Sequence, residues 1–311
     1  FSPIYGVRAK KVVTIHGAEP VLLPRYYRAV HTLHDRFVVP AVSRAMDHIA
    51  CVSETTEKYA RTHYPIRPRQ RFSTIYNGVD PIFRPPTVGA PTGAAEACGP
   101  YFFHVSKYSL RKNPWTLLSG FARFVKRRGA AGDRRRWRLV IAGAGWNNHR
   151  VRAFLRRMEL EERVELLGYV DRSELPALFG GAYGFLFPSL CEGFGMPNVE
   201  AMACGTPVIT SDAFAIPEVV GDAAVTISPP QNVPALVEAM NRLATESYLR
   251  SELIRKGLDR SERYRWERSA GELLSIYGRL ARRHRSSKIV KIGPWVRTLD
   301  GGGGYSAATG G

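Results

Sequence analysis

The chain has 311 residues, 44% of them apolar, which suits a globular protein with more than one hydrophobic core. Lys and Arg number 45 against 27 Asp and Glu, a formal charge of +18 that attracts polyanions (nucleic acid, anionic lipid, phosphate-bearing small molecules) without choosing among them. No run of roughly 18 uninterrupted apolar residues argues for a membrane span, no charged-then-apolar leader is read, and Cys51, Cys98, Cys191 and Cys204 lack the spacing of a zinc site or disulfide framework, so the expected compartment is the cytoplasm.

Short β-branched runs alternate with longer helical patterns, which predicts parallel sheets with crossover helices. Strands are expected first at "KVVTIH" (11–16), "HIACVS" (48–53) and "FSTIYNG" (72–78), half of a doubly wound sheet within residues 1–85. Residues 86–100 are rich in Pro, Gly and Ala with no apolar period, and read as a linker or long loop. A second unit, 101–265, carries strands at "YFFHVS", "RLVIAG", "RVELLGYV", "YGFLFPS", "TPVITSD" and "AAVTIS", enough for a complete Rossmann-like sheet. A closing helix is expected over 266–285, and the Gly- and Ser-rich residues 286–311 read as a disordered tail.

Chemistry concentrates in "PSLCEGFGMPNVEAMACGTPVITS" (188–211), framed by the ends of two expected parallel strands, where open α/β sheets bind ligands. Gly193 and Gly195 let a ligand approach the main chain, and Pro197 suits the first turn of a helix whose unpaired amides would face the loop, an arrangement fit for phosphate. Glu192 and Glu200 bracket that loop, and a carboxylate accepts from the paired hydroxyls of a sugar or ribose. The set suits a ligand carrying sugar, phosphate and sugar. Gly143 and Gly145 in "IAGAGW" read as a tight turn rather than a dinucleotide fingerprint. The basic runs "KRRGAAGDRRRWR" and "RLARRHRSS" read as solvated faces, because no aromatic platform or groove-reading module accompanies them; nucleic acid is not an expected partner.

With these motifs the chain resembles the retaining glycosyltransferases of family 4 (glycosyl transferases group 1). The resemblance rests on the E-x7-E of "PSLCEGFGMPNVEAMACGTPVITSD", on "HVSKYSLRKNPWTLLSGFARF" and "RLVIAGAG" before it, and on "AIPEVVGDAAVTISPPQNVPALVEAM" after it. It covers residues 101–283, and "VVTIHG", "CVSETT" and "IYNGVDPIFRP" resemble the later half of the family's acceptor domain. It implies a GT-B α/β fold, two Rossmann-like domains facing a cleft, with the first part of the amino-terminal domain lying outside this sequence.

By the same resemblance, Glu200 holds the ribose of the nucleotide, Glu192 contacts the transferred sugar, and the backbone of Gly193, Phe194, Gly195 and Met196 meets sugar hydroxyls and phosphates. Lys112 occupies the family's Lys position at the diphosphate, and Lys107 stands where the family has Arg, keeping the charge but not the planar fork. His16 matches a residue beside the reacting sugar, though it also reads as a hydrogen-bonded core histidine; Asn77 falls at an interdomain position. The implied activity is hexosyl transfer from a nucleoside-diphosphate sugar, with retained configuration, to a glycan, lipid-linked or small-molecule acceptor. No D-x-D occurs, so no metal or other cofactor is expected, and the lysines would neutralise the diphosphate. A nucleotide-sugar-binding module without turnover is the alternative, and peripheral contact with an anionic inner membrane face is a second use of the charge.

Overall fold

The computed structural model describes residues 9–68, 70–86, 99–282, 291–292 and 295–296. They fall into two compact units that divide after Leu273. The expected linker lies outside the described residues apart from 86, 99 and 100. The expected tail does too, apart from an antiparallel pair, Lys291–Ile292 with Trp295–Val296, in the second unit.

The first unit holds two parallel sheets. The smaller is β1 (Val12–Ile15), β2 (His48–Cys51) and β3 (Arg71–Thr74) in that order, with Val12 opposite His48 and His48 opposite Arg71. Between β1 and β2 run α1 (Glu19–Leu22), α2 (Ala29–Leu33), a π turn (His34–Val38) and α3 (Val39–Arg44). The crossover α4 (Glu54–His63) starts at Ser53, whose hydroxyl accepts the Thr56 amide at 3.0 Å and so satisfies one of the helix's orphan donors. Ile15, Val42, Ile49 and Cys51 form this sheet's core.

The larger sheet has six strands: β4 (Tyr101–Val105), β5 (Arg138–Ala142), β6 (Val164–Gly168), β7 (Gly184–Phe187), β8 (Val208–Ser211) and β9 (Ala224–Ile227). Its helices are α5 (Pro114–Ala130), α6 (His149–Arg157), α7 (Leu175–Gly180), α8 (Met196–Ala203), α9 (Ile216–Val220), α10 (Val233–Thr245), α11 (Ser247–Ser261) and α12 (Trp266–Arg282), which continues into the second unit. Strands β4, β7 and β8 are almost continuously buried because helices cover both faces. Successive side chains point to opposite faces, so Phe102 joins Phe121, Phe124 and Trp137 on one side while Phe103 joins Phe179, Phe185 and Phe187 on the other. Each such fully buried side chain contributes about 1.5–3 kcal/mol.

Strand order decides where a ligand can sit. The sheet runs β6-β5-β4-β7-β8-β9, all parallel, so the chain winds outward one way from β4 and the other way from β7. The loops leaving the carboxyl ends of β4 and β7 diverge there and open a crevice, the topological switch point. The segment after β4 contains Lys107, Arg111 and Lys112; the segment after β7 contains Glu192 to Met196.

The smaller sheet's side of the molecule is tied to the larger by a cluster of Val52, Phe194, Val199, Val219 and Tyr264, with Tyr76, Val79 and Met196 packed on it. The Val79 amide donates to the Tyr264 carbonyl at 2.8 Å, and the Ser269 hydroxyl to the Tyr76 carbonyl at 2.6 Å. Among the described residues no helix is long and apolar enough to cross a membrane.

Candidate active site

Lys112 is delivered by local geometry. A 3-10 turn (Leu110–Lys112) ends at Asn113, whose φ of 57° is left-handed, and Pro114 then opens α5 with a ring already set for the helix. Asn113 tolerates that conformation and is 7% exposed; its side-chain amide donates to the Pro188 carbonyl at 3.0 Å and the Pro230 carbonyl at 2.8 Å, fastening the β4 loop to the loops after β7 and β9. Asn113→Ala should lose both bonds and strain the backbone, costing roughly 2–4 kcal/mol. Thermal melting should show Asn113→Gly, which keeps the backbone conformation, less destabilised than Asn113→Ala; the reverse order would show that the left-handed turn does not hold Lys112.

Across the crevice, Glu192 is 8% exposed, and one of its oxygens, Oε1, accepts from Ser189 Oγ at 2.5 Å and Lys112 Nζ at 2.6 Å and pairs with the Arg111 guanidinium at 2.6 Å. Burial opposes its charge, but Lys112 and Arg111 together hold its carboxyl below the usual range. Burial in turn pulls Lys112 below an ordinary lysine in spite of Glu192. Its ammonium also lies 4.7 Å from the Phe187 ring centre. Arg111 additionally donates to the Cys191 carbonyl at 2.7 Å. The result is a cationic pair at the mouth of the switch point, charge-neutralised on one side by one carboxylate.

The loop between the two glutamates is shaped by its glycines. Gly195 caps α8 with φ 86°, a left-handed value that favours glycine. Gly193 is required by proximity: a Cβ there would sit 1.8 Å from the His16 carbonyl oxygen and 2.8 Å from Gly17 Cα. The loop after β1 is therefore pressed against the loop after β7. Asn198, wholly buried in the first turn of α8, has neither amide atom paired within the protein, so a water or ligand oxygen would complete it.

The sequence reading missed three groups from this contact. Glu19, in α1, accepts the Gly193 amide at 3.0 Å; burial raises its carboxyl, and Glu192 adds to the rise. Glu218, at α9, accepts the Glu54 amide at 2.6 Å, the Thr55 amide at 2.8 Å and the Thr55 hydroxyl at 2.6 Å, so a carboxylate of one sheet's helices caps α4 of the other's. Arg111 is the third. Lys107, expected as the second cation, is exposed and makes no ion pair among the described residues, whereas Arg111 lies on Glu192 beside Lys112. His16 brings its carbonyl to Gly193 and exposes its side chain. Phe194 is buried against Tyr264 and Tyr76, and Met196 begins α8.

Glu200, also on α8, is 5% exposed, and its one ion-pair partner among the described residues is Arg172 at 3.5 Å. Burial pushes its carboxyl up to about 7. Among the described residues no group of three or more His, Cys, Asp or Glu is arranged to hold a metal ion.

A parallel α/β sheet with its crevice at the switch point, faced by a second parallel sheet, is the GT-B architecture, and solved GT-B proteins overlay on it. Sucrose-phosphate synthase from Thermosynechococcus elongatus matches at TM-score 0.72 and 22% identity, covering 88% of this chain and 68% of that one. HepE of Anabaena, in complex with UDP and glucose, matches at TM-score 0.70 and 18% identity, covering 87% and 71%. The chain belongs to the family Glycosyl transferases group 1, matched over residues 95–260, and residues 2–83 match Glycosyltransferase Family 4. Among curated relatives, O-antigen chain mannosyltransferase B of Escherichia coli is 30% identical over 178 residues, which is 57% of this chain and 45% of that protein. The chain thus spans about half the length of that relative.

Proposed function

We propose that the chain is the donor-binding part, with a portion of the acceptor side, of a retaining glycosyltransferase that moves a hexose from a nucleoside-diphosphate sugar to a glycan, lipid-linked or small-molecule acceptor. The observation that carries this reading is the convergence of Lys112 and Arg111 on Glu192 at the switch point, next to the amides that open α8. Two cations and a helix N-terminus aimed at one crevice favour a diphosphate. As the glycosidic bond breaks, negative charge grows on the departing diphosphate. Fixed cations there stabilise that charge without reorganising, the role a bound metal plays elsewhere. The neutralised Glu192 is then free to meet a sugar hydroxyl once a phosphate takes over Lys112, and Glu200, further along α8, suits the vicinal hydroxyls of the nucleotide's ribose. The relatives' names, O-antigen mannosyltransferase among them, support a hexosyl donor and a glycan acceptor. The formal charge of +18 and the exposed Val30, Leu33 and Phe37 support peripheral contact with an anionic membrane that carries such an acceptor.

Incubation with a panel of labelled nucleotide sugars should reveal one donor that is hydrolysed or transferred, with product of unchanged anomeric configuration. Glu200→Gln should reduce that turnover about 100-fold or more, the scale set by a group that positions the reacting bond. Unchanged turnover in Glu200→Gln would remove the proposed site. Donor binding with no transfer to any acceptor would instead make the chain a nucleotide-sugar-binding module.

A further inference from the structure

Glu200 is a carboxylate almost sealed from water, and a buried ionised acid needs a partner to stay charged. The partner present is Arg172, which leaves the carboxyl end of β6 in the loop that leads to α7. Its guanidinium reaches Glu200 Oε1 at 3.5 Å, Asp80 Oδ2 at 3.5 Å and the face of Phe83 at 5.1 Å. Asp80 and Phe83 lie on the segment between the two sheets, and Phe83 is buried among the larger sheet's core residues. Arg172 itself is half-exposed, so it can move or be replaced without opening a core.

We propose that Arg172 is a positioning residue for the donor: it straps Glu200 to Asp80 and thereby presents Glu200 to the nucleotide's vicinal hydroxyls only while the segment between the sheets is seated. The inference rests on the reading of Glu200 as the ribose-binding acid and adds the group that makes that acid serviceable. The charged and titratable groups around Glu200 are Arg172 and Asp80 from outside its helix and Cys204 on it. Burial raises the Glu200 carboxyl to about 7, Arg172 opposes the rise, and Asp80 adds to it. Loss of Arg172 therefore moves the titration further up, and a protonated acid at neutral pH accepts sugar hydroxyls poorly.

The test is calorimetric binding of UDP-glucose and GDP-mannose between pH 6 and 9, since their diphosphate diesters do not titrate in that range. The unaltered protein should lose affinity for whichever of the two binds as pH falls through about 7. Arg172→Ala should begin that loss at higher pH and bind about fivefold more weakly at pH 7, because a one-unit displacement lowers the ionised fraction there from about a half to about a tenth. Arg172→Lys should restore most of it, because the charge is kept. Glu200→Gln should bind weakly with no pH midpoint. If Glu200→Gln loses affinity while Arg172→Ala keeps the original midpoint, the strap is wrong and the ribose reading survives. If Glu200→Gln binds as tightly as the parent, the ribose reading itself falls, and the strap with it; a protein that binds neither probe contradicts the proposed donor site.

A second readout needs no ligand. An acid whose folded value lies above its unfolded value weakens the fold as pH rises between the two, from about 4.5 to about 7, and the penalty then stays constant. Arg172→Ala should thus melt about 2–4 °C lower at pH 8 than the parent, and the same substitution on a Glu200→Gln background should cost less, because only the contacts with Asp80 and Phe83 are then lost. Equal losses on both backgrounds would overturn the inference.

Discussion

Gly193→Ala is expected to cut sugar transfer by about 100-fold or more while donor affinity stays within about fivefold of the parent. The added methyl would lie 1.8 Å from the His16 carbonyl oxygen, and both that atom and Gly17 Cα are backbone, so neither can swing aside. The two loops must part by more than an ångström. Parting breaks the 3.0 Å bond from the Gly193 amide to Glu19 and the 3.4 Å bond from Thr56 to the Gly193 carbonyl. Lys112, Arg111 and Glu192 all belong to the larger sheet, so the cationic pair survives the parting. The loss should therefore fall on kcat and not on donor binding. Steady-state kinetics beside calorimetry would check the split, and a Gly193→Ala enzyme with full kcat would show that turnover does not use this closed contact.

Glu192→Ala is expected to be the most destabilising single change in the site. It leaves Lys112 and Arg111 partly buried with no carboxylate, and removal of one partner from a buried ion cluster costs roughly 3–5 kcal/mol. Melting should fall by about 6–20 °C, and Lys112→Ala should fall less, because Arg111 and Ser189 still hold Glu192. The pH dependence has a defined sign. The folded Glu192 carboxyl lies below its unfolded value, so its contribution is present above the ordinary glutamate range and fades as pH falls through the folded value. Acid melts should thus show the parent and Glu192→Ala converging at low pH. A parallel pair of curves would mean that Glu192 is not the ion that holds the cluster.

Much of the fold was legible because strands and turns announce themselves locally. Eight of the nine expected strand runs contain their strand whole, and the ninth, 72–78, overlaps β3, which starts one residue earlier at Arg71, since β-branched and aromatic runs bounded by Gly, Pro and Asn have few alternatives. The Lys112 position was legible for the same reason: "KNP" encodes a turn, a left-handed residue and a helix start in three consecutive letters. The reading "IAGAG" as a turn also matches what the backbone does, with Gly143 at φ 118° closing on Ser106.

The rest of the site depends on distances along the chain that carry no pattern. Glu19 meets Gly193 across 174 positions, and Glu218 meets Glu54 across 164. Neither acid has a period or spacing that distinguishes it from a surface glutamate. Arg111 was overlooked beside Lys112 because the resemblance pointed to Lys107, whereas the 3-10 turn at 110–112 places Arg111 and Lys112 together on Glu192 and leaves Lys107 exposed. Arg172 is separated from Glu200 by one helix and one strand, and only the shared carboxyl end of the sheet brings them together.

The most direct measurement is a crystal structure of the protein soaked with the nucleoside diphosphate that most raises its melting temperature. The account predicts the diphosphate within hydrogen-bond distance of Lys112 Nζ and of the amides between Gly193 and Met196, with the ribose hydroxyls on Glu200. A nucleotide bound elsewhere, with Lys112 still paired to Glu192 and Glu200 untouched, would contradict it.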